Sequence, residues 1–521
     1  MLYICSRLSL APKLETAGRW AYHNAIKNNF HKPNNIMNKS ELKPACVFEQ
    51  FAKVNKIPRP SKHEEKMIEF LKEFGESRNL ETVVDKTGNV IIRKPATKGY
   101  EDRETIILQS HMDMVCEKLV DVDIDFAKDP IETYVDGEWM KAKGTTLGAD
   151  DGIGCAIEMA ILDSNDIEHG PVECVFTRDE ETGLTGAMGM EAGFMTGNML
   201  INLDSEDEGQ IFISCAGGQN ATATFKFDRE DAPEGFFFMN ASIKGLVGGH
   251  SGDDINKKRA NCIKLLTRFL FMEQEKTDLR LAKFNAGRMH NAIPRDGQVV
   301  FAVPAADKET VKADWNIFAA NVEEEFHVTE PDMKFALESC DAEKVIKKEN
   351  SEKFILAMQA VYNGVLAMCQ DKALEWMVET SNNVASVNTS DNEIVVVTSQ
   401  RSNVMSNLQN MTNTVKAALK LGGAEVVVND GYPAWKMNPN SKLTDIVVET
   451  YKKLFNKEPL VIGIHAGLEC GLFSEKYPHL DMVSFGPTLR GVHSPDERLL
   501  IPTVEMVWDH LLEILKNAPK K

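Results

Sequence analysis

At 521 residues the chain is too long for one ordinary core, so two or more domains are expected. An apolar fraction of 43% and a charged fraction of 26% fit a water-soluble globular protein, and no run reaches the roughly 18 uninterrupted apolar residues a membrane span needs. The formal charge of −19, from 59 basic and 78 acidic residues, disfavours nucleic acid or an anionic membrane as partner.

Residues 1–36 stand apart, with five Lys or Arg, one acid (Glu15) and no apolar core of a secretory signal. Two explanations stay open: an organelle transit peptide, or an upstream start codon with Met37 opening the working protein. The second is preferred, because a regular helix-forming pattern begins at Lys39. Pro58-Arg59-Pro60-Ser61 then reads as a stop and a start, with Ser61 and Glu64 as a capping box before the stripe Met67, Ile68, Phe70, Leu71 and Phe74. Strands are expected at 80–84, 90–92, 105–108, 172–177 and 200–203, and a helix at 153–162. Strands alternating with helices imply a mixed, largely parallel α/β sheet with helices on both faces.

From about residue 218 the texture changes to α+β. Strands are expected at 237–243, 299–303, 394–398 and 424–428, and helices at 261–272, 309–326, 353–368 and 408–421. After Gly431-Tyr432-Pro433 the first pattern resumes with a helix at 443–455, a strand at 482–485 and a helix at 504–515. The expected division is an N-terminal extension (1–36), a catalytic domain in two parts (37–217 and 431–521) and an inserted domain (218–430). Such insertion is tolerated when the ends of the inserted piece lie close together. Ten cysteines without a CxxC pair suggest reduced thiols in a cytoplasmic protein.

Five segments carry the chemistry. Each puts metal-preferring side chains just after an apolar run: Gln109-Ser110-His111-Met112-Asp113, Gly148-Ala149-Asp150-Asp151-Gly152, Thr177-Arg178-Asp179-Glu180-Glu181, Asn202-Leu203-Asp204 and Gly491-Val492-His493. Ligands of parallel sheets collect beyond the carboxyl ends of strands. A borderline cation such as zinc accepts His nitrogen and carboxylate oxygen and prefers four partners. His111, Asp150, Glu181, Asp204 and His493 make six bonds if Asp150 bridges two metals. A bridging water completes two four-coordinate ions, about 3.5–4 Å apart, as in assisted hydrolysis. Asp113 is placed to hold the His111 tautomer. Glu180, beside a ligand, is placed to take the proton of the bridging hydroxide's parent water and pass it to the leaving amine.

Taken in order, HMDMV, LGADDGIG, TRDEETGLTGA, NLDSEDEG, GGHSGDDI, NAIPR, HAGLECG and GPTLRGVHSPDE resemble the aminoacyl-histidine dipeptidases, which are carnosinase-like co-catalytic di-zinc exopeptidases. The resemblance runs from about Lys39 to the C-terminus. It implies that His111, Asp150 and Asp204 hold one Zn²⁺ and that Asp150, Glu181 and His493 hold the other, with Mn²⁺ or Co²⁺ as possible substitutes. It also implies a cis peptide at Asp150–Asp151. Many relatives have Asn where this chain has Asp151, which adds a charge near the site.

The inserted segment would be a ferredoxin-like lid. There the resemblance selects His250 for the tetrahedral oxyanion and Arg401 for the substrate carboxylate, with Asn291 and His465 lining the pocket. The other eight histidines read as solvated or capping residues. The implied function is a dipeptidase for Xaa-His dipeptides and other short peptides with a free C-terminal carboxylate. The alternative is an N-acyl-amino-acid amidohydrolase on the same scaffold. A small peptide is the expected partner, and a homodimer is what the resemblance implies.

Overall fold

The computed structural model describes residues 42–341, 344–372 and 374–521. The extension expected at 1–36, and Met37, lie outside the described residues. The first sheet has eight strands in the order Glu81–Val84, Val90–Lys94, Val172–Thr177, Ile106–His111, Met199–Asn202, Asp481–Ser484, Gln210–Cys215 and Leu460–Ile464. The four central strands from Val172–Thr177 to Asp481–Ser484 run parallel, while Val90–Lys94 and Gln210–Cys215 join them antiparallel. The sheet is therefore mixed around a parallel centre, as expected.

Ile106–His111, Val172–Thr177 and Met199–Asn202 are buried along their whole length. That is the signature of strands covered on both faces. Successive residues feed different cores. Ile106, Leu108, Phe176 and Ile201 pack with helices Ala45–Val54, Ala149–Asp163 and Ile501–Lys516, whereas Ile107, Val175 and Leu200 pack with helix Glu469–Lys476.

A second sheet is antiparallel throughout, in the order Lys334–Ser339, Phe236–Lys244, Gly297–Pro304, Arg280–Ala286, Val378–Thr389, Glu393–Ser402, Gly217–Lys226 and Glu425–Val428, with Gly364–Met368 paired to Val378–Thr389. It shares one core with helices Cys262–Gln274, Lys308–Phe326, Lys348–Ala360 and Met405–Leu421. The two sheets are joined where the chain passes from one to the other and back. Cys215 exchanges backbone bonds with Trp435, and Gly218 with Tyr432. Gly431 takes φ +72, and a Cβ there would meet the Gly218 carbonyl at 2.3 Å, so this crossing needs glycine.

Three local expectations need correction. The helix expected over 353–368 is Lys348–Ala360 followed by strand Gly364–Met368, broken at Gly364 with φ +108. Strand Val378–Thr389 was not anticipated, because Glu379, Thr380, Ser381, Asn382 and Asn383 are polar yet all buried, and they show no alternation. Ser61 and Glu64 do not form a capping box. Helix Glu65–Glu76 has no side-chain cap; Ser61 instead donates to Asp113, and Glu64 accepts from the backbone N–H of Lys62 and Asp179.

Candidate metal centre

The strand ends bring the five expected residues together. His111 closes strand Ile106–His111, Asp150 lies in the first turn of Ala149–Asp163, and Glu181 follows the end of Val172–Thr177. Asp204 follows Met199–Asn202, and His493 sits in the loop between Leu489–Arg490 and Arg498–Leu500. The Asp150 carboxylate lies between two imidazoles, with Oδ1 3.1 Å from His111 Nε2 and Oδ2 3.1 Å from His493 Nε2. Asp204 Oδ1 is 3.5 Å from His111 Nε2, and Glu181 Oε2 is 2.9 Å from His493 Nε2. The order is Asp204, His111, Asp150, His493, Glu181, with the shared aspartate in the middle. The Asp150–Asp151 peptide is cis.

The residues around this row fix it. Asp113 Oδ1 lies 3.4 Å from His111 Nδ1 and accepts the backbone N–H of Glu180 at 3.1 Å, while Oδ2 accepts from Glu181 N at 3.3 Å and Ser61 Oγ at 2.7 Å. One carboxylate thus orients both the ring and the Glu180-Glu181 pair. Asp179, at φ +51, ties down the following loop by accepting from Thr182 and Thr185. The acidic group Glu64, Asp113 and Asp179 could look like a second metal site, but backbone N–H, hydroxyl and Arg178 donors already occupy its oxygens.

Sequence reasoning missed four supporting residues. Glu497, four residues past His493, accepts the consecutive backbone N–H groups of Leu147, Gly148, Ala149 and Asp150 at 2.7–3.3 Å. Arg59, 1% exposed, donates to the carbonyls of Met112, Asp113 and Gly148, joining the His111 and Asp150 loops from beneath. Glu469, wholly buried, accepts from Gln109 and Thr177 at 2.7 Å each, and burial pushes its carboxyl up to about 7. The fourth, Tyr432, accepts from Arg401. Glu469 and Glu497 fall inside motifs already singled out, whereas nothing marks Arg59, a lone arginine between two prolines.

Burial dominates the electrostatics, and acid crowding adds to it. Burial raises the carboxyls of Asp151, Glu180 and Asp204, Asp204 to about 8, with neighbouring acids acting in the same direction and His111 opposing. Against the upward push of burial, bonds from His111 and His493 bring Asp150 well below the usual carboxylate range. Hydrogen bonds to Asp150 and Glu181 lift His493 to about 11. Five carboxylates around two imidazoles demand further positive charge. Among the described residues Glu181 Oε1 is buried without a hydrogen-bond partner, and the atoms of His111, Asp150 and Glu181 that could hold a cation all lie within 4.8 Å of one another. The donor set, His nitrogen with carboxylate oxygen, fits two divalent cations of the zinc type.

The residues assigned to the substrate pocket form a second group. Arg401 Nη1 donates to Tyr432 Oη at 2.8 Å, and Nη2 lies 3.5 Å from His250 Nε2. Asn291 is exposed; its carbonyl accepts from Ser251 N beside His250. His465 is buried, with Nε2 2.8 Å from Ser381 Oγ, and burial and then Arg401 push its imidazole down to about 3, so it is neutral. Among the described residues no hydrogen bond or ion pair joins His250 to the five metal-side residues. Tyr432 belongs to this second group through Arg401, and burial raises its phenol above its ordinary value. Two of the eight histidines set aside prove buried: His169 pairs with the Gly170 carbonyl and His510 with that of Val447.

Known proteins resemble this chain over most of its length. The sequence model of peptidase family M20/M25/M40 matches residues 107–517. The cytosol non-specific dipeptidase of Escherichia coli K12 is 41% identical over 483 residues, covering 92% of this chain and 99% of that protein. The crystal structure of aminoacylhistidine dipeptidase from Vibrio alginolyticus superposes with a TM-score of 0.85 at 41% identity, covering 95% of this chain and 100% of that one. A tripeptidase structure from Staphylococcus aureus, 15% identical with a TM-score of 0.53, covers 92% of this chain and 99% of its own and shares the fold.

Proposed function

The chain belongs to peptidase family M20/M25/M40, and within it we propose a zinc-dependent dipeptidase that cleaves Xaa-His dipeptides of the carnosine type and other short peptides with a free C-terminal carboxylate. The observation that carries this reading is the Asp150 carboxylate held between His111 and His493, with the Glu180 backbone fixed by Asp113, the carboxylate that also faces His111. His111, Asp150 and Asp204 would hold one cation, and Asp150, Glu181 and His493 the other. When bound, such ions polarise a carbonyl and acidify water.

The chain's own groups do the rest. Glu180 accepts the proton of the attacking water and returns it to the leaving amine. Asp113 keeps the His111 ring and the Glu180 backbone in place. Arg401 receives the substrate carboxylate: its guanidinium is buried, and among the described residues no carboxylate lies within ion-pair distance of it, the Asp253 carboxylate acting only from farther off. A buried charge of that kind calls for an anion. His250, Asn291 and His465 would complete the pocket, His250 by donating to the oxyanion. A cytoplasmic location accords with nine free cysteines among the described residues. No described helix is long and apolar enough to cross a membrane.

The test is metal analysis of the purified protein with hydrolysis rates on Xaa-His dipeptides, other dipeptides and N-acetyl amino acids. Faster cleavage of N-acetyl amino acids would replace the dipeptidase reading with an amidohydrolase. Glu180→Ala should keep two metal equivalents yet lose about 10²–10⁴-fold in turnover, the usual worth of a general base. Full activity in that variant would remove Glu180 from its role.

A further inference from the structure

Tyr432 does more than end the crossing between the sheets. Arg401 in strand Glu393–Ser402 is in register with Gly218 of strand Gly217–Lys226, and Gly218 exchanges both backbone bonds with Tyr432 at 2.9 and 3.0 Å. The three residues therefore lie side by side on adjacent segments, and the phenol must cross Gly218 to reach the guanidinium. A Cβ at Gly218 would come within 2.6 Å of the ring, and one at Gly467, in the loop of His465, within 2.6 Å of its other edge. The ring is slotted between two glycines, and a side chain at either position would displace it.

Its hydroxyl oxygen accepts from Arg401 Nη1, and among the described residues the hydroxyl hydrogen has no acceptor. Among the described residues Arg401 Nε is buried without a partner, and Nη2 has His250 alone at 3.5 Å. A guanidinium held at one nitrogen by a neutral phenol keeps its remaining donors for a planar anion. A phenol oxygen, unlike a carboxylate, fixes the fork without neutralising it.

We propose that Tyr432 is a specificity-determining positioning residue: slotted between Gly218 and Gly467, it aims Arg401 at the C-terminal carboxylate of the substrate. This rests on the reading of Arg401 as the carboxylate receptor. Tyr432→Phe keeps the ring between its glycines and removes one oxygen. The test compares kcat and KM of the metal-loaded wild type, Tyr432→Phe and Arg401→Gln on an Xaa-His dipeptide and on its C-terminal amide. Metal content is measured in each variant. In Tyr432→Phe, KM for the free acid should rise about tenfold with a smaller change in kcat, the scale of one lost hydrogen bond to a charged group. The acid-to-amide ratio of kcat/KM should fall toward that of Arg401→Gln. An unchanged ratio in Tyr432→Phe alone, with Arg401→Gln lowered, overturns the role of Tyr432. An unchanged ratio in Arg401→Gln overturns the carboxylate reading and the proposal with it.

Discussion

Glu497 holds Asp150 by its backbone: the carboxylate accepts from Asp150 N and from the three N–H groups before it, so the loop that carries His493 also shapes the loop that carries the shared aspartate. The segments of the proposed ligands His493 and Asp150, 343 residues apart, are thereby locked to one another. Glu497→Gln keeps the shape but replaces one acceptor oxygen with a donor facing N–H groups. Metal affinity should fall about 10–100-fold, the range for residues that orient ligands, with the fold retained. Competition titration against a chelator reads it directly; affinity equal to wild type would show that the loops hold their places without this clamp.

Asp113 serves His111 with one oxygen and, between its two oxygens, the backbone of Glu180, Glu181 and the Ser61 hydroxyl. Burial opposes its ionisation, but the bonds from His111 and Ser61 keep the carboxyl below its ordinary value. Asp113→Asn retains one acceptor and turns the other into a donor. Turnover should drop about 10–100-fold, more than in Ser61→Ala, where only one of the four contacts goes. Equal losses in the two variants would mean that the ring and the Glu180 backbone do not depend on the charge.

Glu158 lies wholly buried in Ala149–Asp163, and no basic side chain acts on it. Burial raises its carboxyl well above 4.5. The unfolded chain therefore releases this proton first, binds fewer protons than the folded chain over that interval, and gains stability relative to it as pH rises. The folded state is favoured most below about pH 4.5 and loses ground through neutral pH. Glu158→Gln removes the effect, so the Tm advantage of the variant should be small near pH 5 and should widen toward pH 8. A gap independent of pH would contradict the assignment.

Much of this architecture was legible in the chain. The runs 106–108, 172–177 and 200–203 read as buried strands because parallel strands covered on both faces are apolar throughout, and the residues that follow them do converge. Val378–Thr389 was illegible for the opposite reason. It buries Glu379 through Asn383, whose polar groups find partners such as His465, the Tyr362 carbonyl and Gln400 only once the chain is folded. Arg59 is similar: its three acceptors are backbone carbonyls of distant loops, which no spacing rule can reveal. Ser61 misled because a hydroxyl three residues before a glutamate suits a cap equally well, and only the position of Asp113 decides between the two uses.

Removal of metal should leave the protein folded but less stable, since the three large apolar cores include none of His111, Asp150, Glu181, Asp204 and His493. Bound ions add stability by mass action. Thermal melts with and without chelator should differ by several degrees, with reversal on adding zinc; identical melts would argue against tight binding.

The most direct measurement is anomalous diffraction at the zinc edge from crystals of the zinc-loaded protein. The account predicts two peaks, one on either side of the Asp150 carboxylate, the first reached by His111 and Asp204 and the second by Glu181 and His493. A single peak, or peaks that leave Asp150 bound to neither ion, would contradict it.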